Sequence, residues 1–133
     1  MAANLLHQEL TDQVIGAFYD VYNRLGTGFL EKVYENALYF ELTDRGLRVE
    51  QQKPVQVFYG AHSVGIYFAD LVVNDCVIIE VKAAEAINPT HEAQLNNYLK
   101  ATEIEVGLLL NFGGKPEFRR KYLTNDRKKL RGK

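Results

Sequence analysis

Three charged side chains, Asp70, Glu80 and Lys82, stand at the two ends of the largely apolar stretch DLVVNDCVIIEVK, residues 70–82. Because side chains alternate faces along a strand, Glu80 and Lys82 point the same way. The position of Asp70 depends on the turn between the two strands. A two-residue turn would place Glu80 opposite Ala69, whereas a three-residue turn or a bulge would place Glu80 opposite Asp70. We predict the second register, because it alone gathers all three charges.

Two converging carboxylates with a nearby lysine can bind a hard divalent cation. Mg²⁺ takes oxygen ligands and keeps several waters, so Asp70 and Glu80 could supply part of its shell. The cation would activate water at a phosphate, and Lys82 would orient that water or neutralise developing charge. A buried ion pair of Lys82 with Asp70 or Glu80 is the alternative. The chain has one cysteine and three histidines without a clustered pattern, so a zinc site is not expected.

The surrounding sequence predicts the elements that position these residues. Apolar residues recur at helical spacing over residues 11–25 and 29–45, with GTG at 26–28 between them and Gly46 placed to end the second helix. Runs rich in β-branched and aromatic residues then predict strands, with Pro54 separating the first two. A third helix is expected from Asn88 or Thr90 to about Ala101, followed by the strand VGLLLNF.

The segment EFRRKYL after that strand predicts a further strand or a short helix, before a frayed tail. The order is thus helix, helix, three strands, helix, strand. A helix that joins two strands of one sheet implies a right-handed crossover and a parallel strand pair. The predicted fold class is α/β, with a mixed sheet flanked by helices and the strands around the charged trio buried on both faces.

Charge is distributed unevenly along the chain. From Lys115 onward there are nine basic residues against two acidic ones, a net charge of +7, which leaves −8 on the rest. This basic tail includes Arg119, Arg120 and Lys121, and it is compatible with binding a phosphate backbone; a solvated tail is the alternative. We expect one domain over residues 1–133, because the length and composition are ordinary for a single globular domain. We expect it in the cytoplasm, because neither a signal peptide nor a membrane span is recognisable.

Several of these motifs resemble those of a known group of enzymes. Asp70, Glu80 and Lys82, written D…(E)xK, resemble the signature of the PD-(D/E)XK nuclease superfamily, although Ala69 stands where its name has a proline. The segment GFLEKVY at 28–34 closely resembles the motif that names the GxxExxY protein family of this superfamily. HEAQLNNYLK resembles the QxxxY motif of the RecB-like exonuclease branch.

The resemblance implies a restriction-endonuclease-like core and a metal-dependent site. It implies that Asp70 and Glu80 bind Mg²⁺ or Mn²⁺, with the carbonyl of Val81 as a further ligand. Lys82 would be the catalytic lysine. Glu31 matches the acidic residue that some members supply from the first core helix, where it contacts the metal directly or through water.

The two helical motifs carry further expectations. Gly28, Glu31 and Tyr34 are three residues apart and lie near one helix face, and Gly28 could let that helix approach the sheet closely. Glu31 could instead be a first-turn carboxylate favoured by the helix dipole. We expect Tyr34 to pack. Gln94 and Tyr98 share a face of the third helix and could bind the substrate backbone or brace the metal site; an ordinary polar face is the alternative.

The resulting hypothesis is a magnesium-dependent nuclease that cleaves nucleic acid, DNA more readily than RNA. The alternative is a catalytically inactive module that binds nucleic acid or a protein partner through its basic end. An ion-paired core with a function elsewhere is a third reading. A homodimer, or a partner that supplies specificity, is compatible with the small size of the chain. The first two are distinguished by whether Asp70, Glu80 and Lys82 converge in an open cleft.

Overall fold

The protein is built around one five-stranded sheet with helices on both faces. The structure is a computed structural model that describes residues 6–129. The helices and strands are α1 (Gln8–Leu25), α2 (Glu31–Asp44), β1 (Val49–Tyr59), β2 (His62–Val73), β3 (Val77–Lys82), α3 (Pro89–Ala101), β4 (Val106–Asn111) and β5 (Glu117–Tyr122). The strand order is β1-β2-β3-β4-β5, and only the β3–β4 pair is parallel. The predicted α/β class, mixed sheet and order of elements are therefore confirmed.

Each face of the sheet carries its own apolar core. Ile79 and Leu108 lie in the cluster that packs against α1 and α2, whereas Ile78 and Leu109 lie in the cluster under α3. Neighbouring residues of β3 and β4 thus alternate between the two cores, as the two-residue period of a strand requires. Burial on both faces explains why these strands are continuously apolar, and it leaves little room for charge except at their ends.

The second helix begins later than predicted. It starts at Glu31, because Leu30 is extended and Gly28 has a φ of 106°, which a residue with a side chain rarely adopts. A Cβ atom added at Gly28 would meet nothing within 4 Å. The expectation that Gly28 allows a close approach to the sheet is therefore wrong. Glycine is required at position 28 because the backbone of the turn has a positive φ there. Gly46 ends the helix as predicted, with a φ of 87°.

Two expectations for the first hairpin are wrong. β1 is not broken at Pro54, because β1 is an edge strand, where a missing N–H donor is tolerated. β2 is buried on both faces only near its end, while Val64, Ile66 and Phe68 are exposed. The first part of β2 is therefore largely exposed, and only its last residues enter the two cores.

The C-terminal segment is more ordered than a frayed tail. EFRRKYL forms β5, and the backbone N–H of Leu123 donates to the carbonyl of Glu105. Lys128 Nζ donates to the carbonyls of Thr102 and Ile104, and burial lowers its pKa. The chain is therefore held to the α3–β4 connection as far as Lys128; Arg131 and Lys133 lie outside the described residues. Among residues 6–129, no helix is both long and apolar enough to cross a bilayer.

Candidate active site

The hairpin between β2 and β3 sets the register of the charged residues. Val73 pairs with Val77 and Leu71 pairs with Ile79, so the turn has three residues. Asn74 and Asp75 adopt left-handed φ angles of 52° and 54°, a conformation that Asn and Asp tolerate better than most residues. The same register places Asp70 opposite Glu80. The predicted three-residue turn is confirmed.

The two carboxylates replace the backbone ladder where β2 and β3 separate. Regular pairing is recorded as far as Leu71 and Ile79. Beyond it, the N–H of Asp70 donates to Glu80 Oε2 at 3.0 Å, and the N–H of Val81 donates to Asp70 Oδ2 at 2.8 Å. Each carboxylate therefore satisfies a backbone donor of the opposite strand. This exchange holds both side chains at the point where the strands diverge.

Burial makes this pair of carboxylates electrostatically unfavourable. Glu80 is only 2% exposed, and desolvation raises its pKa from 4.5 to about 8, with the Asp70 charge adding to the rise. Desolvation also raises the pKa of Asp70, against the hydrogen bond from Val81. Two buried acids that share a site favour either a retained proton or a bound cation.

The donor set fits a hard divalent cation. Asp70, Glu80 and the backbone carbonyl of Val81 offer oxygen atoms, which Mg²⁺ and Mn²⁺ accept. Across residues 6–129, no three Asp, Glu, His or Cys side chains are grouped as a complete metal site. Water and a substrate phosphate would have to complete the shell, as Mg²⁺ commonly requires.

Lys82 is held by α3 and not by the carboxylates. Its Nζ donates to Gln94 Oε1 at 3.1 Å. Gln94 Nε2 donates to the hydroxyl of Tyr98 at 3.4 Å, and that hydroxyl donates to the carbonyl of Phe68 at 3.4 Å. The Lys82 charge still lowers the pKa of Glu80, so the two groups lie within electrostatic reach. The alternative of an ion pair between Lys82 and Asp70 or Glu80 therefore does not describe the site. Gln94 and Tyr98 form a hydrogen-bonded brace that holds the Lys82 ammonium.

The third helix presents these two side chains because its start is firmly capped. The Asn88 side chain accepts a hydrogen bond from the N–H of His91, whose ring accepts one from the N–H of Asn88. Leu95 and Leu99 are buried against the sheet. Burial also raises the pKa of the Tyr98 hydroxyl to about 12, with the Glu80 charge contributing. Tyr98 is therefore a neutral donor at physiological pH.

The GxxExxY segment lies beside the carboxylates. Glu31 is the exposed first residue of α2, and its charge contributes to the raised pKa of both Asp70 and Glu80. Tyr34 is fully buried and stacks on Phe112 at 4.5 Å between ring centroids. The Tyr34 hydroxyl donates to the carbonyl of Gly26 and accepts from the N–H of Phe29. Tyr34 therefore packs as expected and also fixes the turn that orients Glu31.

The chain is similar in sequence to a protein family and in structure to a solved protein. The sequence matches the family model described as the PD-(D/E)XK nuclease superfamily over residues 8–121. The chain belongs to this superfamily. No curated protein matches it. The crystal structure of a protein designated SSO0001 resembles this PD-(D/E)XK chain with a TM-score of 0.55 at 16% sequence identity. The match covers 70% of this chain and 50% of SSO0001, so the chain spans about half of that protein's length. This likeness supports the fold alone.

Sequence reasoning missed a group of polar residues next to Asp70. Glu35 is 4% exposed and accepts hydrogen bonds from Lys32, Gln51 and Gln52. Gln52 also donates to Asp70 Oδ1 at 3.2 Å. No spacing rule could have found this group, because uncharged glutamines of an edge strand meet a helix some 17 residues away.

A second missed residue fixes the backbone after Lys82. Asn111, at the end of β4, is fully buried. Its Oδ1 accepts from the N–H of Ala84 and its Nδ2 donates to the carbonyl of Ala84, both at 2.9 Å. The N–H of Phe112 donates to the carbonyl of Lys82 at 2.8 Å. The parallel neighbour strand therefore holds the segment that carries Lys82.

The basic residues of β5 are not gathered on one surface. Arg120 bonds to Asp12 of α1 at 2.7 Å, whereas Lys121 pairs with Glu92 of α3. Since α1 and α3 lie on opposite faces of the sheet, these two side chains point apart. Arg119 has a longer contact, 3.8 Å, with Glu117, and its side chain is 42% exposed.

A shallow cavity of about 370 Å³ adjoins the brace on the α3 side. Gln94 and Tyr98 line it together with Asn97 and the exposed ring of Tyr67, which meets Tyr98 edge to face at 5.9 Å. The cavity combines amide groups with an aromatic face. An aromatic face of this kind is one on which a nucleic-acid base can stack.

Proposed function

We propose that this chain is a nuclease that hydrolyses phosphodiester bonds of nucleic acid with Mg²⁺ or Mn²⁺, acting on DNA in preference to RNA. The observation that carries the proposal is the reciprocal hydrogen bonding of Asp70 and Glu80 where β2 and β3 diverge. Lys82 follows Glu80 by two residues on the same strand, and the chain belongs to the PD-(D/E)XK superfamily, which supports the proposal. We also propose that the chain is a GxxExxY member, from the segment 28–34.

In this proposal Asp70, Glu80 and the Val81 carbonyl hold the cation. When bound, Mg²⁺ or Mn²⁺ supplies Lewis-acid stabilisation of negative charge on the phosphate. Glu80 would bind the cation as a carboxylate, and its proton would be released to solvent. Glu31, whose charge acts on both carboxylates from the start of α2, would be a further ligand, directly or through water.

Lys82 acts as the catalytic lysine. Gln94 accepts one of its N–H groups at 3.1 Å, which leaves two ammonium protons for the attacking water and the phosphate. Gln94 is held in turn by Tyr98, so the ammonium is positioned before substrate arrives. Preorganised charge of this kind stabilises a transition state without reorganisation at the moment of reaction.

Substrate contacts are proposed on the α3 side and on β5. The cavity lined by Gln94 and Tyr98 adjoins Lys82, so a strand bound there would lie next to the reacting phosphate. Of the β5 residues, Arg119 has the longest ion pair and is the most available to a phosphate. Arg120 and Lys121 bind a phosphate only by exchanging their contacts with Asp12 and Glu92.

The test is a cleavage assay on labelled single-stranded and double-stranded DNA and RNA. The wild type is incubated with Mg²⁺, Mn²⁺ or EDTA, beside Asp70→Asn, Glu80→Gln and Lys82→Met. Glu85→Gln is the matched control, because Glu85 is exposed in the loop after β3. We expect metal-dependent cleavage that the three site variants lose and the control keeps. Binding of nucleic acid without cleavage in any metal would instead support the inactive-module alternative.

A further inference from the structure

Gln52 has an unusual backbone in the middle of a regular strand. Its φ is 53°, in the left-handed region that residues with a side chain seldom occupy. On either side the β1–β2 pairing is in register, with Gln51 opposite Leu71 and Lys53 opposite Ala69. The distortion is thus confined to the one residue that lies opposite Asp70. Local strain of this kind persists where surrounding contacts impose it.

The side chain of Gln52 explains what imposes this conformation. Its Nε2 donates to Glu35 Oε1 and Oε2, at 3.1 and 3.0 Å, and to Asp70 Oδ1 at 3.2 Å. Glu35 is almost fully buried and is itself fixed by Gln51 and Lys32. The amide of Gln52 therefore joins a rigid carboxylate of α2 to the site carboxylate of β2.

This contact completes the support of Asp70. Asp70 Oδ2 accepts the N–H of Val81 and Asp70 Oδ1 accepts the amide of Gln52, so both oxygens have a donor and the carboxylate cannot rotate freely. Each oxygen retains a further lone pair that can face a cation. Because an amide is neutral, Gln52 orients Asp70 without cancelling the negative charge that a cation needs.

We propose that Gln52 is a positioning residue for cation binding and that Glu35 anchors its side chain. The strained backbone at Gln52 is the conformation that directs the side-chain amide towards Asp70. The inference rests on the proposed cation site at Asp70 and Glu80. Loss of a partner that orients a ligand typically weakens metal affinity about 10- to 100-fold. We expect an effect of about 10-fold when the Gln52 amide is removed.

Two variants test this without disturbing the strand. Glycine and asparagine both accept a positive φ, so Gln52→Gly and Gln52→Asn keep the backbone. Glycine removes the amide, and asparagine shortens it by one methylene so that it cannot reach both carboxylates. Gln56→Ala is the control, since Gln56 is an exposed glutamine of the same strand. The probe is Mn²⁺ alone, with its dissociation constant measured by electron paramagnetic resonance and the free energy of unfolding measured in urea with EDTA.

The expected result is a dissociation constant for Mn²⁺ raised about 10-fold in both Gln52 variants, whatever their stabilities, and unchanged in Gln56→Ala. Wild-type affinity in either folded Gln52 variant would overturn the inference, because a merely structural glutamine alters stability alone. Glu80→Gln distinguishes a failure of the proposed cation site from a failure of the positioning role of Gln52. If it loses Mn²⁺ while the Gln52 variants do not, the proposed cation site stands and the positioning role falls. If the wild type binds no Mn²⁺, both fall.

Discussion

The buried Glu80 carboxyl should make the cation-free protein less stable as the pH rises. Below pH 4.5 this group is protonated in both the folded and the unfolded chain. Between 4.5 and its folded pKa of about 8, it is ionised only in the unfolded chain, so the native state binds more protons. The free energy of unfolding therefore falls with pH throughout this window, and the loss is complete above about pH 8.

The size of the effect follows from the same shift. One pKa unit corresponds to about 1.4 kcal/mol, so a rise from 4.5 to about 8 corresponds to about 5 kcal/mol. Glu80→Gln keeps the shape of the side chain and cannot ionise. Relative to the wild type, the variant should gain up to about 5 kcal/mol of stability between pH 5 and pH 9. Urea unfolding at fixed pH values in EDTA measures this difference directly.

Two comparisons make the pH prediction decisive. Glu85→Gln, an exposed glutamate, should show no such change in relative stability with pH. Saturating Mn²⁺ should recover most of the wild-type loss at pH 8, because a bound cation favours the ionised carboxylates. If Glu80→Gln and the wild type differ equally at pH 5 and pH 9, Glu80 is already ionised in the folded protein. The argument from desolvation would then be refuted.

Three further substitutions probe separate parts of the site. Lys82→Met removes the ammonium but no carboxylate, so cleavage should fall at least about 100-fold while a Mn²⁺ titration shows retained binding. Tyr34→Phe loses the hydroxyl contact to Gly26 and should lower the free energy of unfolding in urea by about 1–2 kcal/mol. Gly113→Ala puts a methyl group 2.1 Å from the carbonyl oxygen of Ala84, so the free energy of unfolding in urea should fall by about 3 kcal/mol or more. A loss below about 1 kcal/mol would contradict the steric conflict.

The parts of the fold that depend on near neighbours in the chain could be predicted from the sequence. The apolar spacing that predicts α1 indicates that one face of the helix is buried, and Val14, Phe18 and Val21 on that face are buried. The three-residue turn could be inferred because only that register brings Asp70 opposite Glu80. Both inferences need only the period of a helix or strand. The predicted start of α2 is too early, because the left-handed backbone at Gly28 delays the helix although the apolar spacing continues through the turn.

Contacts between distant segments could not be predicted in this way. Gln52 lies next to Asp70 only because β1 pairs with β2, and next to Glu35 only because α2 crosses that end of the sheet. Asn111 reaches Ala84 through the parallel pairing of β3 with β4. Amide side chains carry no charge pattern or periodicity that singles them out. Their importance depends on burial and direction, which are tertiary properties.

These amides also hold the site residues without adding a charge to the site. Gln52 holds Asp70, Gln94 holds Lys82, and Asn111 holds the backbone after Lys82, each through hydrogen bonds that transfer no charge. A lysine or arginine in place of Gln52 would neutralise Asp70 and stabilise the empty site. The hydrogen-bond donors to Asp70 and Glu80 are neutral, and burial, the largest cause of the raised pKa of each, is opposed only in part by these bonds and by the Lys82 charge near Glu80. If the proposed cation site is correct, its residues are ordered before a divalent cation binds, and the electrostatic stabilisation comes from the cation itself.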